Sequence, residues 1–124
     1  FENTDILGSM EFACKVSGSK LVFVLGHEHC GAVKGAIDGV ELGNITPMLA
    51  NIRPAVDHFA EYDGEKTSTN EKFVHMVAEK NVRVTIDDIR KNRPILQEME
   101  ANGEIKIVGG LYEMDTGKVS FFKE

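Results

Sequence analysis

The chain has 124 residues, 42% hydrophobic and 27% charged, with a formal net charge of −6. That length and balance suit one folded domain over residues 1–124 rather than a disordered chain. The acidic excess, without a Lys/Arg cluster, argues against nucleic acid or an anionic membrane as partner. No apolar stretch approaches the roughly 20 residues that span a bilayer.

Thr4 or Asp5 is placed to cap a first helix running to about Val16, with Ile6, Leu7, Met10, Ala13 and Cys14 at helical spacing on its buried face. Ser17-Gly18-Ser19 is a turn. Leu21 to Leu25 is apolar on both faces, as in a strand of a parallel sheet covered by helices, and Gly26 is expected to end it. A short helix follows from about Cys30 to Ile37, stopped at Asp38-Gly39.

Thr46-Pro47 predicts a helix start, with Thr46 as cap and Pro47 in the first turn. Met48, Leu49, Ile52, Val56 and Phe59 form its apolar stripe, and Pro54 should kink or split it. Asp63 to Asn70 is polar and is expected to be the least ordered stretch. A long helix spans about Glu71 to Lys91, with Val74, Ala78, Val82, Ile86 and Ile89 along one face. Pro94 restarts a short helix that stops at Asn102-Gly103. Ile105 to Tyr112 is a second strand, Asp115-Thr116-Gly117 a turn, and Val119 to Phe122 a third strand.

This order predicts an α/β fold: a mainly parallel sheet flanked by helices, closed by an edge hairpin. Two strands and a hairpin make a small sheet, and the chain opens directly on a helix. Residue 1 is Phe, not Met. The expectation is a domain truncated at its N-terminus, with any targeting segment outside this sequence. The two cysteines, Cys14 and Cys30, make no disulfide framework. A reducing compartment, by default the cytoplasm, follows as the expected location.

The stretch Gly26-His27-Glu28-His29-Cys30-Gly31 carries the chemistry. His27 falls at a strand end, where ligands sit in open α/β sheets. Cys30 falls at a helix start, where unpaired N–H groups and the helix dipole favour an anionic sulfur. Imidazole and thiolate are both zinc ligands. Gly26 and Gly31 are expected to let the backbone turn sharply there. On residues alone two readings stand: a metal-binding pair, or a buried Cys beside a strand-end His satisfied by a carbonyl.

Ser9-Met10-Glu11-Phe12-Ala13 and then Leu21 through Val33, with its G-H-x-x-C-G core, resemble the signature of β-class carbonic anhydrases. Asn81-Val82-Arg83 to Ile89-Arg90 and Gly109-Gly110-Leu111-Tyr112 to Thr116-Gly117 are similar to that family's C-terminal half. The resemblance implies zinc as cofactor, with His27 and Cys30 as two of three protein ligands. It implies carbon dioxide and bicarbonate as substrate and product, interconverted by metal-assisted attack of water. It also implies a homodimer or higher homo-oligomer. The family's third ligand and its Asp–Arg pair lie in an upstream Cys-x-Asp-x-Arg motif that this sequence lacks. No catalytic residue is therefore assigned within the chain, and the chain alone is expected to be inactive. The alternative is a non-catalytic zinc-binding or regulatory α/β module; a third possibility is a plain α/β domain without metal.

Cys14, followed by Lys-Val-Ser, is expected to be a core cysteine. Glu28 and His29 are expected at the rim, His29 being also a candidate proton carrier. His58 and His75 are expected as isolated surface or packing residues, and Asp87-Asp88 as solvated charge. Lys34 and Arg53 are candidate anion contacts with a surface role as the alternative. Tyr112 is a candidate for the pocket or a dimer interface.

Overall fold

The computed structural model describes residues 1–91 and 93–123. Helix α1 spans Thr4–Glu11 and is capped by Asn3, whose side-chain oxygen accepts from Ile6 N at 3.0 Å. The expected caps Thr4 and Asp5 instead lie inside the first turn, where Asp5 meets the positive end of the helix. The last turn, Phe12–Val16, widens to π geometry, with Ser17 N donating to Phe12 O at 3.0 Å.

Strand β1 is Leu21–His27, so it runs two residues beyond the expected end and through Gly26. Helix α2, Gly31–Asp38, starts after Cys30 and ends on Gly39 in the left-handed region (φ 69°). Helix α3, Ile45–Ala50, starts after Asn44 rather than Thr46. Thr46 does something else: its hydroxyl accepts from Leu42 N at 2.8 Å and ties down the preceding turn. Helix α4, Arg53–Asp57, carries Pro54 in its first turn, so the apolar stripe is split there as its sequence predicts.

The polar stretch 63–70 is anchored. Ser68 donates through its N–H (3.0 Å) and its hydroxyl to Asp38 at the end of α2. Helix α5, Glu71–Arg90, follows, then α6, Pro94–Ala101. Strands β2, Lys106–Tyr112, and β3, Val119–Phe121, complete the chain.

The sheet has the order β1-β2-β3. β1 and β2 are parallel, with Leu21 opposite Lys106 and His27 opposite Tyr112; β3 is antiparallel to β2. Alternation sorts the side chains. Val22, Ile107 and Leu111 are buried on one face, in the cores that α5 shares. Leu21 (54% exposed), Leu25 (47%) and Phe121 (64%) stand on the other, where Phe23 stacks on Phe121 at 4.9 Å. The expectation of helices on both faces is thus met on one face among the described residues.

One core lies beneath α2–α4 and the first half of α5, around Phe73, Val77, Ala55 and Ile52. A second joins α1, the rest of α5, α6 and the strands, around Leu96, Ile89 and Ile107. Cys14 belongs to the second core. It is buried and free, and burial pushes its thiol up from the ordinary value. Among the described residues no helix is long and apolar enough to cross a membrane.

Candidate metal centre

The carboxyl ends of β1 and β2 lie side by side, because His27 pairs with Tyr112 in a parallel register. One further bond, Glu28 N to Tyr112 O at 3.0 Å, carries the pairing into the turn. The chain then reverses through His29, which sits at φ 56°, the left-handed residue other than glycine among the described ones. Cys30 is extended (φ −65°, ψ 115°) and precedes α2, its carbonyl accepting from Lys34 N at 3.0 Å.

The glycines act differently from expectation. Neither Gly26 nor Gly31 takes a positive φ. Gly26 is needed for packing. A Cβ there would meet Val82 Cγ2 at 2.8 Å and Leu111 Cδ2 at 2.9 Å, so α5 presses directly on the strand's backbone. Around Gly31 there is open space.

His27 is exposed at the end of β1, and its Nδ1 lies 3.0 Å from Glu28 O. A carbonyl only accepts, so Nδ1 is the donor in this bond, which points to Nε2 as the nitrogen available to a metal. Cys30 is free and half-buried; its side chain makes no capping bond and packs against the first core. These two donors suit zinc in type, and His27 has the outer-shell carbonyl that orients such ligands. Two donors alone would leave a zinc coordination shell incomplete. Among the described residues, the three donor groups that converge are Glu28, His29 and Asp115, with ligand atoms within 4.8 Å of one another.

A cleft opens beside His27, lined by Glu28, His29, Lys34, Glu71, His75 and the apolar Val74, Ala78 and Leu111. His29, one of the lining residues, reaches Asp115 Oδ2 with its Nε2 at 3.5 Å. Sequence reasoning missed Glu71 and Asp115. It placed His75 at the surface, where it is, but not beside His27. The signal was available: Glu71, Val74, His75 and Ala78 recur at helical spacing on the face of α5 that meets the end of β1.

Cys30 lies outside the cleft lining, and so does Tyr112. Tyr112 serves the turn through its carbonyl. Arg53 donates to Ala36 O at 2.9 Å and pairs with Asp57 at 3.1 Å, so it is structural; Lys34 lines the cleft. His58 is exposed, edge-on to Phe59, and Asp87 and Asp88 are exposed, as expected.

An imidazole at a parallel strand's carboxyl end, three residues before a thiol at a helix start, defines an α/β domain with a candidate metal centre. The same fold occurs in solved β-carbonic anhydrases. One of two tetrameric enzymes from Sordaria macrospora superposes with a TM-score of 0.84 at 21% identity, covering 98% of this chain and 61% of that one. The Coccomyxa enzyme, solved with acetazolamide, gives 0.83 at 21% identity, covering 99% and 55%. The carbonic anhydrase family model, Pro_CA, matches residues 1–119, and the chain belongs to that family.

A carbonic anhydrase of Synechococcus elongatus is 28% identical over 119 residues, 90% of this chain and 41% of the relative. Carbonic anhydrase 2 of Mycobacterium tuberculosis is 29% identical over 118 residues, 91% and 54%. The chain thus spans about half the length of the curated relatives it matches.

Proposed function

We propose that this chain carries part of a zinc-dependent carbonic anhydrase site, and that the complete protein interconverts carbon dioxide and bicarbonate. The observation that carries this reading is the placement of His27 and Cys30, in a chain matched to the family over residues 1–119, with Nδ1 of His27 committed to a carbonyl. His27, through Nε2, and Cys30, through its sulfur, would hold the ion. Bound zinc brings the loss of a proton from water into the neutral range.

The chain's own residues do the rest of what this part can do. Glu28 O fixes the ring of His27. Val74, Ala78 and Leu111 give the cleft an apolar wall suited to carbon dioxide, and Lys34 supplies a cation for bicarbonate. The third protein ligand and the acid–arginine pair come from residues outside this sequence. The 124 residues alone therefore hold zinc weakly and do not catalyse. The active form is a homodimer or larger homo-oligomer, in a reducing, cytoplasmic setting that keeps Cys30 a free thiol.

One observation favours a second reading, a non-catalytic zinc-binding or regulatory module: among the described residues no third donor joins His27 and Cys30. Stopped-flow hydration of carbon dioxide separates the two when run on this chain and on the full-length gene product, each dialysed against zinc. The enzyme reading predicts buffer-rate hydration by the short chain, catalysis by the full product, and loss of that catalysis on His27→Ala. A full product that binds zinc at His27 without hydrating carbon dioxide overturns it in favour of the module.

A further inference from the structure

Helix α6 ends on the pair Asn102-Gly103, which carries chemistry of its own. A backbone nitrogen can attack the side-chain amide of the asparagine before it, which is why asparagine is thermolabile. Glycine hinders that attack least, because it has no Cβ. Every other asparagine of the chain precedes a residue with a side chain. Asn102 and Gly103 are both exposed, and a Cβ built on Gly103 would meet nothing within 4 Å. Crowding therefore does not prevent ring closure here.

The backbone does. Asn102 holds ψ at 0°, which turns Gly103 N toward the residue's own nitrogen and away from its Cβ. Gly103 N donates to Glu100 O at 3.1 Å. With Gly103 left-handed (φ 74°), Glu104 N reaches Met99 O at 2.8 Å. These bonds close the end of the helix. Bringing Gly103 N to Asn102 Cγ means turning ψ away from 0°, and that turn breaks them.

We propose that Asn102 is a spontaneous deamidation site, gated by the α6 cap and damaging to it. In the opened cap Gly103 N bonds to Asn102 Cγ and gives up its proton, and the side-chain nitrogen leaves as ammonia. Water then opens the resulting cyclic imide. Breaking the bond from Gly103 N to Cγ yields aspartate. Breaking its bond to the Asn102 backbone carbonyl carbon yields isoaspartate, with the chain now running through Cγ. Water is the only co-reactant. Either product sets a carboxylate at the carbonyl end of α6, where the helix dipole disfavours it, between Glu100 and Glu104. Isoaspartate also lengthens the main chain by a carbon just ahead of Lys106, whose N–H bonds to Lys20 O where the pairing of β1 with β2 begins.

The 124-residue chain is kept in warm neutral buffer, either folded or unfolded in guanidinium, and peptide mass spectrometry follows a gain of about one dalton. Asp38-Gly39 and Asp63-Gly64 rearrange without a change of mass, so the gain reports asparagine alone. It should map to Asn102. The folded chain should react about tenfold more slowly than the unfolded one, because only the open fraction reacts. Glu98→Gly weakens the exposed side of the last turn and leaves the pair intact. It should speed the folded reaction roughly fivefold and leave the unfolded rate unchanged. Circular dichroism confirms that the variant is folded. The separated isoaspartate form should unfold at a lower guanidinium concentration than the unmodified chain. A folded chain that reacts as fast as the unfolded one, reacts first at another asparagine, or does not react at all overturns the proposal. So does a folded rate that ignores Glu98→Gly, or an isoaspartate form as stable as the unmodified chain.

Discussion

Replacing Gly26 with alanine puts a methyl group where the structure has none to spare. Its Cβ would lie 2.8 Å from Val82 Cγ2 and 2.9 Å from Leu111 Cδ2. Leu111 can swing the end of a flexible side chain aside. Val82 is 4% exposed and branched at Cβ on a packed helix, where one rotamer dominates, so it yields only if α5 moves. Overpacking of this kind costs about 1–3 kcal/mol, from which about 0.5–1 is recovered by removing a glycine from a strand. The net expectation is a loss of about 1–2 kcal/mol, or a fall in Tm of about 3–10 °C for a chain of this size.

Urea unfolding followed by circular dichroism measures it. Val82→Ala removes the obstructing methyl. The double variant should therefore be more stable than the sum of the singles by at least about 0.5 kcal/mol. A Gly26→Ala protein as stable as wild type, or strict additivity with Val82→Ala, would refute the packing argument. It would also reopen the expectation that Gly26 serves the backbone's conformation.

Phe73 is fully buried against Tyr62 (5.0 Å between ring centres) and Phe59 (6.1 Å). Phe73→Ala should cost about 3–5 kcal/mol, readable as a lower urea midpoint with an unchanged slope; a loss under 1 kcal/mol would mean that the core beneath α2–α4 is not packed as described. The two bonds from Ser68, the hydroxyl's first, hold the Asp38 carboxyl below the ordinary carboxylate range. A depressed carboxylate stabilises the fold above its unfolded pKa, and that stability is lost as pH falls through the folded one. Asp38→Asn should thus be less stable than wild type at neutral pH and converge with it in acid; an equal gap at pH 7 and pH 2.5 would remove the bond from the account. Asn3→Ala should cost about 1 kcal/mol through loss of the α1 cap, whereas Thr4→Ala should cost less; the reverse order in thermal melts would restore Thr4 as the cap.

Periodic elements were legible because their physics is local. The stripe Val74, Ala78, Val82, Ile86 and Ile89 marks α5, and Pro54 marks the split between α3 and α4. Caps were less legible, since Asn3, Thr4 and Asp5 are all capping types and only the geometry selects one. Thr46 was misread for the same reason: a hydroxyl before a proline looks like a cap, but it serves the turn behind it.

At the site, the positions of His27 and Cys30 followed from residue order alone. The role of Gly26 did not, because it depends on α5, more than fifty residues away in the chain. Glu71 and His75 reach the cleft, and Asp115 reaches His29, by the same tertiary route. The bare sheet face was hidden too. An all-apolar strand shows that both faces want cover, and not which neighbour provides it.

The central claim is that His27 and Cys30 are both metal ligands. Cobalt(II) titration of the 124-residue chain tests it, because cobalt takes zinc's ligands and a thiolate ligand announces itself by a charge-transfer absorption. The account predicts that band in the wild-type chain and in Cys14→Ser. It predicts its loss in Cys30→Ser and a weaker affinity for cobalt in His27→Ala. A wild-type chain without the band, or a band that survives Cys30→Ser, would contradict it.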